Sequence, residues 1–254
     1  MDNESVYKRI QDFFGNMDNI SLLENPVDVT VQMQYFDLSG KVRGKQSNKE
    51  ILAHKDDLFN SEITIAKKKK LLAQMAGIPS PEIYRTLETY AKQPDETLKE
   101  WAQLALQENK LLLESDLLEC PQVFISTGLG GKGHKLRYFV VLFNRVGGNL
   151  QPFQQKIVHE EMEDALKRHN SELEEVHFMD NYTTMRVVVP LTSDLTRVFR
   201  EGIDECNQFG NFLSNDFIVT NMKELSSTEI KEALDTKNEA LSELEDDFPS
   251  IEEE

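Results

Sequence analysis

Between two apolar segments the chain carries Gly128, Gly130, Gly131 and Gly133, interspersed with Lys132, His134 and Lys135. Such a run could hold an anion, because successive glycines let backbone N–H groups converge while lysines add charge. It does not meet the pattern of a nucleotide phosphate loop. That loop needs Gly-x-x-x-x-Gly-Lys-Ser/Thr at a strand-to-helix junction, and no Ser or Thr follows Lys132. The flanking segments, Val123 to Thr127 and Leu136 to Phe143, both read as strands, which predicts a β-hairpin with a basic, flexible tip. A plainer alternative is a hairpin whose glycines only supply positive φ. Four glycines exceed what a tight turn needs, so Gly128, Gly130, Gly131, Lys132, Gly133, His134 and Lys135 are taken as candidate partner-binding residues.

Other chemistry is thin. His159 and Glu163 lie four apart on a predicted helix, but no second ligand pair or His-Glu-x-x-His motif accompanies them, and a solvated helix face explains them. His54, His169 and His177 are isolated. Neither Ser126 nor Ser193 sits in Gly-x-Ser-x-Gly, and Cys206 falls on the apolar side of its helix, where a thiol is core material. No catalytic residue, metal ligand or cofactor is therefore assigned. Lys67 to Lys70 form a basic run in a helix; adjacent residues point about 100° apart, so the charges wrap around the helix rather than align. Together with Lys41, Arg43, Lys45 and the glycine-loop lysines they could make a local basic patch for RNA, DNA or an acidic protein.

Composition narrows the field. The chain has 254 residues, 39% of them apolar, enough for two modest domains. No apolar run approaches the roughly 18 to 20 residues that span a bilayer, and Met1 to Ile10 lacks a signal-like apolar core. Two cysteines, Cys120 and Cys206, make no disulfide framework, so a cytoplasmic setting without a membrane is expected. The formal charge of −17 argues against a surface that tracks nucleic acid throughout. Much of it is local. From Ser226 to Glu254 there are eleven acids against Lys231 and Lys237, a net −9 that leaves about −8 on the rest, ordinary for a folded body. Within that tail, Phe248, Pro249 and Ile251 sit among acids, as in short docking segments that use charge to steer and apolar side chains to fill a groove. Solubilising acidic disorder is the alternative.

The elements that must position these residues follow from periodicity. Ser5 to Phe14 reads as a helix with Val6, Ile10, Phe13 and Phe14 on one side. Val27, Val29, Val31, Met33 and Tyr35 alternate with polar residues, which predicts a strand, then a turn at Asp37 to Gly40 and a return strand over Lys41 to Lys45. Ser47 and Glu50 form a capping box opening a helix through about Leu58. Helices are predicted over 62–76, 81–92 and 96–113. A short repeat marks them: Leu72, Met75, Pro79, Ser80 and Ile83 recur fifteen residues later as Leu87, Tyr90, Pro94, Asp95 and Leu98. Beyond the hairpin come a helix over 152–169, strands over 175–180 and 184–191, a helix over 194–209 and a strand over 217–222.

The expected fold class is α+β: a mixed N-terminal domain with a small HEAT-like helical array, and a C-terminal ββαββαβ, ferredoxin-like or related sheet with two helices on one face. The segments are 1–60, 61–117, 118–225 and an acidic tail, 226–254. A hairpin partner for the central strand competes for an edge of a ferredoxin-like sheet, so the strand order stays open. With no catalytic set legible, the leading expectation is a non-enzymatic protein-interaction or adaptor protein whose partner is another protein. The alternatives are an RNA- or ribosome-associated factor using the basic patch, and a small-molecule sensor or enzyme built on the sheet.

Overall fold

The computed structural model describes residues 20–118, 123–145 and 148–234. The predicted helix over Ser5 to Phe14 and the tail anchors Phe248, Pro249 and Ile251 lie outside them.

After a short strand, β1 (Ile20–Leu22), the first long element is a helix, α1 (Val29–Val42), and not the predicted strand, turn and return strand. Pro26 ends the extended entry, and the Asp28 side chain caps the helix by accepting from the Thr30 N–H at 2.7 Å. Alternation at Val27 to Tyr35 is real, but the buried positions are Gln32, Tyr35, Ser39 and Val42, spaced three and four apart. Tyr35 decides the matter. Its ring packs edge-on to Trp101, with centroids 5.4 Å apart, and its hydroxyl donates to Glu108 at 2.6 Å. Burying those contacts outweighs the β preference of Val29, Thr30 and Val31.

The helices then follow the predicted order. α2 (Asn48–Ala53) opens on the Ser47–Glu50 capping box and leads into a 3₁₀ turn, Lys55–Phe59. α3 (Ile65–Ala76), α4 (Pro81–Lys92) and α5 (Lys99–Leu118) succeed it, α5 entered through a 3₁₀ turn at Glu96–Leu98. The repeated apolar residues Leu72, Met75, Ile83, Leu87, Tyr90 and Leu98 are all buried in one core, which also takes Leu23, Tyr35 and Leu58 from the preceding segment. Two polar side chains hold this core. Asn109, wholly buried on α5, donates to the carbonyls of Met75, Ala76 and Ile78, where α3 ends and the chain turns toward α4. Lys68, the second lysine of the basic run, is buried, with its ammonium 2.7 Å from Asp95, which also accepts from the Tyr90 hydroxyl.

The C-terminal half is an antiparallel sheet beneath two helices. Its elements are β4 (Lys135–Asn144), α6 (Pro152–Arg168), β5 (Glu172–Phe178), β6 (Tyr182–Pro190), α7 (Leu195–Asn207) and β7 (Leu213–Thr220). β4 pairs with β6 on one side and β7 on the other, and β5 is the far edge beside β6. Val140, Leu142, Met185, Val187 and Val189 face α6 and α7, meeting Val158, Met162, Phe199 and Ile203. Gly202 brings those helices together: a Cβ there would lie 2.6 Å from the Met162 sulfur.

The predicted hairpin is corrected. β2 (Val123–Ile125) pairs in parallel with β1 in a separate two-stranded sheet. The partner β4 receives from upstream is only β3 (Gly131–Lys132), matched to Leu136 and Lys135. β1 occupies the edge β2 would have offered, and a two-residue β3 leaves the rest of the β4 edge to β7. Among the described residues no helix is long and apolar enough to cross a membrane. Asn109→Ala should lower unfolding stability by about 1–2 kcal/mol in urea denaturation, since a buried amide that ties the end of α3 to α5 is lost; a loss below about 0.5 kcal/mol would remove Asn109 from this role.

Candidate functional site on the second face of the sheet

Strand alternation sends Arg137, Phe139, Val141 and Phe143 of β4 to the face opposite α6 and α7. Pairing register sets Tyr182 directly across from Phe143, Thr184 from Val141 and Arg186 from Phe139, while Ile218 of β7 flanks Val141. Opposed residues of this kind have Cβ atoms about 4.5–5.5 Å apart, so one face of the central strands carries three aromatic rings and two guanidinium groups.

At one end of the face lies an ionic array. Arg137 forks onto Glu174, Nε to Oε2 at 2.6 Å and an outer nitrogen to Oε1 at 2.9 Å, and also donates to the Leu129 carbonyl at 2.9 Å. Its ionised form gains from Glu174, whose own carboxyl it holds below the usual range. Arg186 reaches Glu175, Glu174 at 3.3 Å and Glu224 at 3.0 Å. Both arginines open into a cleft of ≈ 510 Å³ walled by Glu24, Asn25 and Pro26. Arginine forks of this geometry bind carboxylate and phosphate interchangeably.

At the other end the face is apolar and covered. A helix over residues 227–234, α8, lays Ile230 into the cluster of Phe139, Val141 and Phe143, with Leu225, Leu234, Tyr182 and Ile218 around it. The cover is tied down by polar contacts. Ser226 and Glu229 form a reciprocal capping pair, Lys223 binds Glu229, the Tyr182 hydroxyl donates to Ser227 at 2.9 Å, and Arg186 binds Glu224. Lys223, then the Ser226 amide and hydroxyl, draw the Glu229 carboxyl down to about 2.

The sequence-predicted glycine loop borders this face, but as a packed joint rather than a flexible tip. Gly128, Gly130 and Gly131 are buried because backbones cross there. A Cβ on Gly128 would lie 1.6 Å from the Met222 carbonyl oxygen, one on Gly130 2.5 Å from that of Glu24, and one on Gly131 2.4 Å from that of Lys135. Only Lys132, Gly133 and His134 project, at the turn into β4. The lysines are engaged too: Lys132 and Lys135 both bind Glu172 of β5, at 2.6 and 2.9 Å, and hold its carboxyl near 2.

The remaining candidates are scattered. Lys69 stacks on Trp101 at 4.4 Å, so with Lys68 buried the tetralysine run presents no common face. Cys206 is buried, and burial pushes its thiol up to about 12. Glu163 is taken by Lys167, and His169 by Glu201 at 2.7 Å; among the described residues no group of three His, Cys, Asp or Glu could hold a metal ion. Sequence reading passed over Arg137, Arg186 and Tyr182. Their signal was available in β4, where Arg137 shares a side with Phe139 and Phe143.

No family model matches the chain, and no curated protein matches it. Solved structures similar in part include a protein described as a transposase from Deinococcus radiodurans R1, at 14% identity and a TM-score of 0.36, covering 42% of this chain and 95% of that one. Another is a REP-associated tyrosine transposase bound to a REP hairpin, at 12% identity and a TM-score of 0.31, covering 39% of this chain and 62% of that one. Both are described as transposases, which runs against the non-enzymatic adaptor expected from the sequence, and that reading is withdrawn. Likeness at this level says nothing further about the activity of the present chain.

Two outcomes follow from the packing and the charges. Gly128→Ala should destabilise the fold well beyond Gly133→Ala, which faces open space and costs only its left-handed backbone, about 1 kcal/mol; thermal melts of the two variants compare them directly. Because the Glu229 carboxyl is depressed from 4.5 to about 2, its hold on α8 is complete above pH about 4.5 and is lost as pH falls toward 2. Amide exchange over residues 225–234, measured from pH 6 to 2, should show protection vanishing in that window and not above it.

Proposed function

We propose that this chain binds single-stranded nucleic acid on the second face of its sheet. The observation that carries the reading is the placement of Phe139 and Phe143 on β4 and Tyr182 on β6, beside Arg137 and Arg186 on the same face. Bases splayed from a single strand stack on aromatic rings, worth about 1–3 kcal/mol each and tolerant of sequence, while arginine forks take the phosphates. From Phe139 to Phe143 the face runs four residues, roughly 13 Å at strand rise, long enough to seat more than one base.

The architecture supports the same use. Strand order β5-β6-β4-β7, all antiparallel with α6 and α7 on one side and β4 and β6 central, supports reading the sheet as a ferredoxin-like split βαβ unit. A four-stranded sheet that stacks bases on aromatic residues of its face is an established solution for single-stranded RNA. On this reading α3, α4 and α5 are a HEAT-like buttress, Lys132, Gly133 and His134 form the rim, and Gly128, Gly130 and Gly131 set the wall. Single-stranded nucleic acid, RNA or DNA, is the partner class. The net charge is compatible because about half of it belongs to the tail.

The test is fluorescence anisotropy with labelled single-stranded RNA and DNA oligonucleotides and a duplex control, using the full chain with α8 released by Ile230→Asp. Single strands should bind, with affinity falling as salt rises. Adding Tyr182→Leu and Phe143→Leu should weaken binding about tenfold or more at unchanged melting temperature. An absence of single-strand binding by the released chain overturns the proposal.

A further inference from the structure

We infer that α8 is a displaceable cover, an element of the chain that competes in cis with nucleic acid for the face it occupies. The inference rests on the nucleic-acid reading above and names its regulation. Among the described residues three aliphatic side chains attach the cover, and only one of them, Ile230, is fully enclosed; Leu225 and Leu234 are half-buried. The other residues of α8 look outward apart from the half-buried Glu229. A helix integral to a core buries a full stripe of each turn, and α8 does not.

Its polar attachments fall on the residues assigned to the ligand. Glu224 places a carboxylate on Arg186, where a phosphate would sit, and Ser227 takes the hydroxyl of Tyr182. The cover thus imitates the two kinds of contact that a nucleotide would make: an anion on a guanidinium and an apolar mass on aromatic rings. Bound nucleic acid and a closed α8 cannot share the face, so each weakens the other by the same factor.

The chain is built to hinge at one place. Asn221 and Met222 are fixed to the glycine loop: the Leu129 N–H donates to the Asn221 carbonyl at 3.0 Å, and Gly128 lies flush against the Met222 carbonyl. Residues 223–226 then run as irregular chain before α8 begins. Releasing α8 therefore leaves β7 and the loop in place; the aliphatic packing of Leu225, Ile230 and Leu234 and the Arg186 and Tyr182 contacts part, while the capping pair can leave with the helix.

Three full-length proteins test this: the native chain, Ile230→Asp, and Glu224→Gln, which removes from Arg186 the one carboxylate that the cover segment supplies without touching the packing and guards against misfolding of the first variant. With a single-stranded oligonucleotide, Ile230→Asp should bind at least tenfold tighter than the native chain and Glu224→Gln about threefold tighter. Hydrogen exchange on the native chain with saturating oligonucleotide should show protection lost over 225–234 and gained over 139–143. Equal, tight binding by all three, with α8 still protected, overturns the cover while leaving the nucleic-acid reading intact. No binding by Ile230→Asp, in a chain whose exchange shows α8 released and the sheet folded, overturns that reading itself and with it the competition in cis.

Discussion

The architecture depends on one strand that has no wet face. From Leu136 to Phe143, β4 buries apolar side chains on both sides, and the helices α6 and α7 can screen only one of them. Something must cover Phe139, Val141 and Phe143. The chain uses what lies nearest: Leu129 from the glycine loop, Ile218 and Tyr182 from the neighbouring strands, and α8 from beyond β7. That demand draws the loop down onto the sheet, where backbones approach closely enough at Gly128, Gly130 and Gly131 to exclude any side chain. Density of glycine here reflects close approach rather than freedom. The same loop receives Gln32 of α1, whose amide donates to the Thr127 carbonyl at 3.0 Å, so the joint between the helices and the sheet is made at the same spot.

Charge on the second face is held in pairs. Arg137 and Glu174, largely screened from water, form a well-directed bidentate fork. Arg186 contacts three carboxylates from two different segments, more anion than a single guanidinium needs. An over-supplied arginine beside aromatic side chains is chemically a site already holding a substitute for its ligand. Exchange of one anion for another at that position changes the net Coulomb energy far less than filling an empty site would, because the guanidinium is paired in both states.

Which parts of this were legible in the sequence depends on the distance over which the deciding contact acts. Local signals held well: the Ser47–Glu50 box, the proline-punctuated helices α3 to α5, and the doubly apolar pattern that marks β4 as a central strand all act within a few residues. Val27 to Tyr35 misled because a β-branched alternation and a three-four helical spacing can coexist in nine residues, and Trp101 and Glu108 decide between them from far along the chain. Lys68 looked like one of four solvated lysines until Asp95 and Tyr90 closed over it. The ionic array was illegible for the same reason. Glu172 and Glu174 fall outside the strand expected over 175–180, and only the β4-β6-β5 order reveals that these acids and Glu175 face Arg137, Arg186 and the glycine-loop lysines. Sequence identified the right loop as a landmark but assigned it mobility, since periodicity carries no information on which other backbone passes beside a glycine.

A net charge of −17 and a polyanionic ligand are reconciled by position. Electrostatic interaction across solvent fades over about 8 Å at physiological salt, so what a phosphate meets at Arg186 is set by its immediate neighbours and not by the total. The closed face carries the Glu224 carboxylate on that arginine, and its departure with α8 would remove one negative charge from beside the guanidinium. Opening then trades like for like in two steps: carboxylate for phosphate on the guanidinium, and the aliphatic contacts of Leu225, Ile230 and Leu234 for bases against Phe139, Phe143 and Tyr182. Because both exchanges replace an interaction with another of its own kind, closed and ligand-bound forms can lie close in free energy. A modest number of tail contacts is therefore enough to hold the face shut in the absence of ligand without barring its entry.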